Sequence, residues 1–160
     1  MQTLLRIIPD EAATLAAGEA IGHLLSALPA STLRFQVNLI GDLGAGKTTL
    51  VRGVLRGLGY TGRVKSPTYP LLETYSVGML NLAHFDLYRL ESPDGFTEAG
   101  FEDVFAGPGI RFLEWPDRAG DRLAIPDWRL TLVDTSEGGR QMAIDAVTPM
   151  GAELLERLVV

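Results

Sequence analysis

The sequence predicts one α/β domain, residues 1–160, built on a mixed parallel and antiparallel sheet flanked by helices, and three observations carry that prediction. An apolar run at residues 35–40 ends at Gly41, passes through a glycine-rich segment and opens into a helix-spaced stretch from Thr48, the strand, loop and helix order of a parallel α/β unit. Later apolar segments lie too close together for helical crossovers, so part of the sheet must run antiparallel. The composition, 46% apolar and 21% charged over 160 residues, suits a single globular domain with a sizeable core and leaves no room for a second.

Each element follows from its local pattern. Residues 1–9 lack the long apolar core of a signal peptide and no segment approaches the length of a membrane span, which points to a soluble, cytoplasmic chain without membrane attachment. Asp10 is placed to cap a helix whose apolar residues at 12, 13, 16, 20, 21, 24 and 25 form a stripe, ending near Pro29. The strand at 35–40 and a helix at 48–58 follow, the latter stopped by Gly59. Ser66-Pro67-Thr68-Tyr69 then breaks the pattern. Residues 71–75 and 80–87 read as paired strands around a turn near Gly78, 96–105 as a short helical stretch, and 110–113 as a strand halted by Trp115-Pro116. Residues 128–133 and 141–147 read as a hairpin around Glu137-Gly138-Gly139, and 151–159 as a closing helix.

Composition excludes several chemistries. There are no cysteines, so disulfides, thiolate metal sites and thiol catalysis are absent. Two histidines, His23 and His84, are too few for a histidine metal cluster, and their places inside a helix and a strand give them structural roles. A net charge of −6 removes the overall positive surface of a stand-alone nucleic-acid binder, while Arg52, Arg56, Arg63 and Lys65 leave room for a local patch.

Gly41-Asp42-Leu43-Gly44-Ala45-Gly46-Lys47-Thr48 fills every fixed position of the phosphate-binding loop G-x-x-x-x-G-K-[ST] and stands between strand and helix, as that loop must. Its glycines let successive N–H groups point inward at phosphate oxygens, and the helix behind it offers unpaired N–H groups and a positive dipole end to the same anion. Lys47 can reach the β- and γ-phosphates, and the Thr48 hydroxyl can ligate magnesium. The expected fold is therefore that of a P-loop NTPase, with a nucleoside triphosphate and magnesium as its ligands. Two carboxylates lie just past apolar strands, Asp86 and Glu114, where ligands gather in open α/β sheets, and each can hold magnesium or orient a water. Trp115 beside Glu114 can stack on a base. Thr68 follows a proline where switch loops place a threonine that senses magnesium and the γ-phosphate.

Taken together, the loop with Thr49, Lys65-Ser66-Pro67-Thr68-Tyr69, His84-Phe85-Asp86-Leu87-Tyr88-Arg89-Leu90 and Leu113-Glu114-Trp115-Pro116 resemble the ordered motifs of the bacterial TsaE (YjeE) family over essentially the whole chain. The resemblance implies a small ATPase needed for threonylcarbamoyladenosine formation in tRNAs that read codons beginning with A, acting with TsaD and TsaB and meeting tRNA only through that complex. It implies magnesium on Thr48 and Glu114 and nucleotide contacts from the loop residues Asp42 to Thr49. It also implies switch-like segments holding Thr68 and Asp86, and a contribution of Thr14 from Glu11-Ala12-Ala13-Thr14 to the nucleotide pocket. Hydrolysis would be slow in isolation, with Lys47 neutralising developing charge and Asp86 or Thr68 positioning water. Arg89 and Arg111 are candidates for a charge-stabilising arginine. The main rival is a small P-loop kinase phosphorylating a small-molecule acceptor, which normally needs an arginine-bearing lid that the sequence does not show.

Overall fold

The computed structural model describes residues 2–160. In chain order it contains β1 (Thr3–Ile8), α1 (Glu11–Ser26), β2 (Arg34–Ile40), α2 (Lys47–Leu58), β3 (Leu72–Val77), β4 (Leu80–Asp86), α3 (Pro93–Glu98), β5 (Gly109–Glu114), β6 (Trp128–Asp134), β7 (Arg140–Ala146) and α4 (Pro149–Arg157). The strands form one sheet in the order β1-β7-β6-β2-β5-β4-β3. At its centre β2 runs parallel to both β5 and β6, and β4 runs parallel to β5. The edge pairs β1/β7 and β3/β4 and the β6/β7 hairpin are antiparallel. The mixed sheet expected from the close spacing of the late strands is thus present.

Packing divides by sheet face, because alternate residues of a strand point to opposite sides. Phe35, Val37 and Leu39 of β2, Phe112 of β5, and Leu130 and Leu132 of β6 pack in a large core with α1, α2 and α4. Phe85 and Leu113 point the other way and join Phe96 and Phe101 in a smaller, largely aromatic cluster.

α1 and α2 interlock through four glycines. Gly18 and Gly22 on one helix face Gly53 and Gly57 on the other, one helical turn apart in each case. A Cβ on any of the four would lie 2.8 to 3.0 Å from the Cα of the facing glycine and would overlap the carbonyl oxygen of Leu50, Val54, Leu15 or Glu19. Only hydrogen atoms fit, so the two backbones touch and bring the first turn of α1 against the loop that precedes α2. Helix propensity alone favours alanine over glycine by about 1 kcal/mol. Overlap with rigid backbone opposes it and is larger, so Gly57→Ala is expected to cost about 3 kcal/mol and to lower the thermal midpoint by roughly 6–12 °C. A midpoint that stays the same or rises would refute this close contact.

Several boundaries differ from the sequence reading. β1 replaces an opening segment with no assigned structure. The helical stretch at 96–105 is two pieces, α3 and a 3-10 turn at Phe101–Phe105, separated by Gly100 at φ 76°. A 3-10 segment, Pro116–Arg122, follows Trp115 where only a break was expected. α4 begins at Pro149, two residues early, because Thr148 caps it through the Gly151 N–H and proline suits the first helical position. α1 does begin after Asp10, whose carboxylate accepts from the Ala13 N–H at 2.8 Å.

Candidate functional site

Three neighbouring parallel strands, β2, β5 and β4, end at one level. The register pairs Leu39 and Asp86 with Glu114 on either side, so the carboxyl ends of β2, β4 and β5 meet where the glycine-rich loop leaves β2. Gly44 and Gly46 take left-handed backbone angles, φ 80° and 104°, that let the loop turn back into the start of α2, where the Leu50 N–H donates to the Gly46 carbonyl. The result is a cleft of about 240 Å³ lined by Leu43, Gly44, Gly46, Lys47, Thr48, Thr49, Ser66, Thr68, Asp86 and Glu114. Motifs scattered over 72 residues of sequence converge there.

Of the remaining residues named from the sequence, Asp42, Ala45 and Trp115 line a neighbouring hollow of about 410 Å³ that extends along residues 131–134 of β6. Trp115 stands between the two spaces, its ring 4.8 Å from the Lys47 amine and 5.0 Å from the Tyr88 ring. It holds a left-handed conformation, φ 56° and ψ 51°, that costs a non-glycine residue about 1–2 kcal/mol. Thr14 is buried beneath the loop. Its methyl group faces Gly46, and its hydroxyl lies 3.4 Å from the Asp10 carbonyl of its own helix.

Lys47 is the first surprise of the site. The task of reaching phosphate suggests an amine open to solvent, yet only 5% of the residue is exposed. Its amine donates to the Gly41 carbonyl at 2.6 Å and lies 3.6 Å from Glu114 Oε1. The other Glu114 oxygen, Oε2, is 2.7 Å from His84 Nε2, and His84 is fully buried. The Glu114 carboxylate is thus held on both sides, which compensates its burial. His84, assigned a structural role from its place in a strand, is in fact the neighbour of this carboxylate. Its signal in the sequence was its parity with Asp86: two residues apart on β4, both point to the face that carries Glu114.

Asp86, which lines the cleft, is 7% exposed; its Oδ1 accepts the Tyr88 N–H at 3.1 Å, and its Oδ2 has no hydrogen-bond partner among the described residues. Thr68 and Ser66 share a hydrogen bond of 2.7 Å between their hydroxyls. The segment carrying them is tied to the strand ends: the Leu71 N–H donates to the Pro67 carbonyl, and the Asp86 N–H donates to the carbonyl of Leu71, itself at φ 66°. The segment that carries Thr68 is thus linked through Leu71 to the backbone of Asp86.

Neither arginine considered from sequence lines the cleft. Arg111 is clamped by the Val104 and Gly107 carbonyls on the opposite face of the sheet. Burial and the neighbouring Arg34 pull its guanidinium below the ordinary value. Arg89 lies over the Tyr69 ring at 4.4 Å. The structure instead brings Arg140 from the start of β7 to the loop, where its Nη2 donates to the Gly44 carbonyl at 2.8 Å and its Nε lies 3.3 Å from Asp134. No local signal marked it, since it is 96 residues from Gly44.

The oxygen donors Thr48, Glu114, Asp86 and Thr68 suit a hard cation such as magnesium. Among the described residues there is no group of three His, Cys, Asp or Glu that could hold a metal alone. That pattern fits an ion bound mainly through phosphate oxygens and water, with one or two protein ligands.

Comparison with known proteins agrees with this geometry. The family model described as "Threonylcarbamoyl adenosine biosynthesis protein TsaE" matches residues 8–142. The TsaE protein of Haemophilus influenzae is 38% identical over 155 residues, covering 97% of each chain. That of Bacillus subtilis is 38% identical over 122 residues, covering 76% of each. The crystal structure of Bacillus subtilis YdiB superposes with a TM-score of 0.72 at 29% identity, over 98% of this chain and 93% of that one. With the motifs, the fold and the convergent cleft in agreement, this chain belongs to the TsaE family.

Proposed function

We propose that this chain binds ATP with magnesium in the 240 Å³ cleft and hydrolyses it slowly, in the service of tRNA threonylcarbamoyladenosine synthesis, together with the partners TsaD and TsaB in the cytoplasm. The observation that carries this reading is the meeting of Lys47, Thr48, Thr68, Asp86 and Glu114, from four separate motifs, at one set of strand ends.

Bound magnesium would neutralise charge on the β- and γ-phosphates, with Thr48 and Glu114 as its protein ligands. The loop N–H groups receive the phosphate oxygens, and Lys47 exchanges its bonds to Gly41 and Glu114 for bonds to phosphate. Glu114 keeps its orientation in that exchange because His84 still holds Oε2. Asp86, whose Oδ2 has no hydrogen-bond partner among the described residues, accepts a hydrogen bond from the attacking water and aligns it with the γ-phosphate. Thr68 reports the γ-phosphate to the segment that TsaD and TsaB would meet.

Glu114→Gln is expected to weaken nucleotide binding about tenfold or more in the presence of magnesium and to leave magnesium-free binding nearly unchanged, because only the first state needs the negative ligand. Calorimetry with and without a chelator measures both. Equal losses would return Glu114 to a purely structural role. The functional reading is tested by phosphate release from ATP by the chain alone and with TsaB and TsaD. Stimulation by the partners is the expected result, whereas transfer of phosphate to a small acceptor would favour the kinase reading.

A further inference from the structure

The charge of this protein is segregated along the chain. Residues 43–72 contain Lys47, Arg52, Arg56, Arg63 and Lys65 and no carboxylate, a balance of +5. The remaining chain has nine cations against twenty carboxylates, a balance of −11. Lys47 belongs to the cleft, and the fold gathers three of the others elsewhere. Arg52 and Arg56 stand one turn apart on α2. With Arg63, from the segment after Gly59, they line a hollow of about 640 Å³ that also includes Tyr60 and Thr61 and shares no residue with the nucleotide cleft.

These arginines are little neutralised by the described residues. Among the described residues Arg52 and Arg63 form no ion pair. Arg56 meets Glu19 at 3.8 Å with both side chains about half exposed, a contact that water largely screens. Three guanidinium groups around one concavity, only one of them paired and that one weakly, on a chain that is otherwise strongly acidic, form an electrostatic site for a polyanion. The walls indicate which kind. None of the exposed large apolar side chains lines the hollow, so an occupant is met chiefly by charge and hydrogen bonds. Arginine forks and the Thr61 hydroxyl are donors suited to phosphate oxygens.

We propose that this hollow binds the phosphate backbone of a structured RNA, giving the chain a direct contact with nucleic acid in addition to any made through partners. The inference extends the tRNA-pathway reading but depends on different residues. Four residues, 64–67, separate Arg63 of the hollow from Thr68 of the cleft along the chain.

The test is fluorescence anisotropy of a labelled, unmodified tRNA transcript titrated with the full chain over a salt series. About three phosphate contacts should give a slope of log affinity against log salt near −3. R52E/R56E/R63E should weaken binding at least about tenfold at low salt and flatten the slope, and the corresponding triple glutamine variant should fall between. Arg157→Glu, exposed on α4, should change nothing. ATP affinity and thermal midpoint, measured on the same variants, should stay at the level of the unmodified protein, so a failed nucleotide reading and a failed RNA reading are distinguishable. Absence of RNA binding by the intact chain would overturn the proposal in favour of an acidic protein surface, and equal binding by the triple variant would overturn it as well.

Discussion

Lys47→Ala is expected to abolish tight ATP binding, with a loss of about a hundredfold or more. Charge-assisted hydrogen bonds to phosphate contribute about 1.5–3 kcal/mol each, and Lys47 can make two of them, so roughly 3 kcal/mol is a minimum estimate. Because Lys47 is buried against Glu114, its removal also leaves that carboxylate with His84 as its remaining partner, and alanine adds a cavity. Lys47→Met keeps the side-chain length without the charge and separates the two effects. Calorimetry should show the same loss of ATP affinity in both variants, and circular dichroism should show Lys47→Met folded. Unchanged affinity in the folded methionine variant would remove the phosphate-loop assignment.

Asp86→Asn is expected to lower partner-stimulated hydrolysis by about a hundredfold while changing ATP affinity less than threefold, since general-base positioning contributes 10²–10⁴ to rate and nothing to ground-state binding. The amide is nearly isosteric, and its oxygen can still accept the Tyr88 N–H, so the strand end should keep its geometry. The measurement is single-turnover phosphate release beside equilibrium binding. A proportional loss of both would place Asp86 in nucleotide binding. If Thr68 and Asp86 form a switch, affinity for TsaB and TsaD must also differ between ATP and ADP, by the same factor that the partners change nucleotide affinity.

Local pattern and tertiary structure contributed differently to what is known of this chain. The loop from Gly41 to Thr48 was legible because its conformation is set by glycines within it and its function by backbone N–H groups, which need no distant partner. The same holds for α1, capped by Asp10, and for α2, stopped by Gly59 in a left-handed conformation. Strand polarity could be read where short connections forbade a crossover, as at the β6/β7 hairpin.

β1 was not legible because it is largely exposed and pairs with β7 across about 140 residues, a contact with no local trace. Burial of Lys47, the grip of His84 on Glu114 and the approach of Arg140 to Gly44 are likewise decided by the sheet order, which sets β5 beside β2 and β4 and closes the loop from the β7 side. The glycines of α1 and α2 are plain in the sequence, yet their purpose shows only when the two helices touch. Sequence by itself determined the phosphate-loop motif and singled out the residues proposed here to meet phosphate and magnesium, because motif spacing encodes local backbone geometry. Tertiary structure alone decided which of them share one cleft, how their charges are compensated and which further side chains hold them in place, because those relations are made by contacts between segments far apart in the chain.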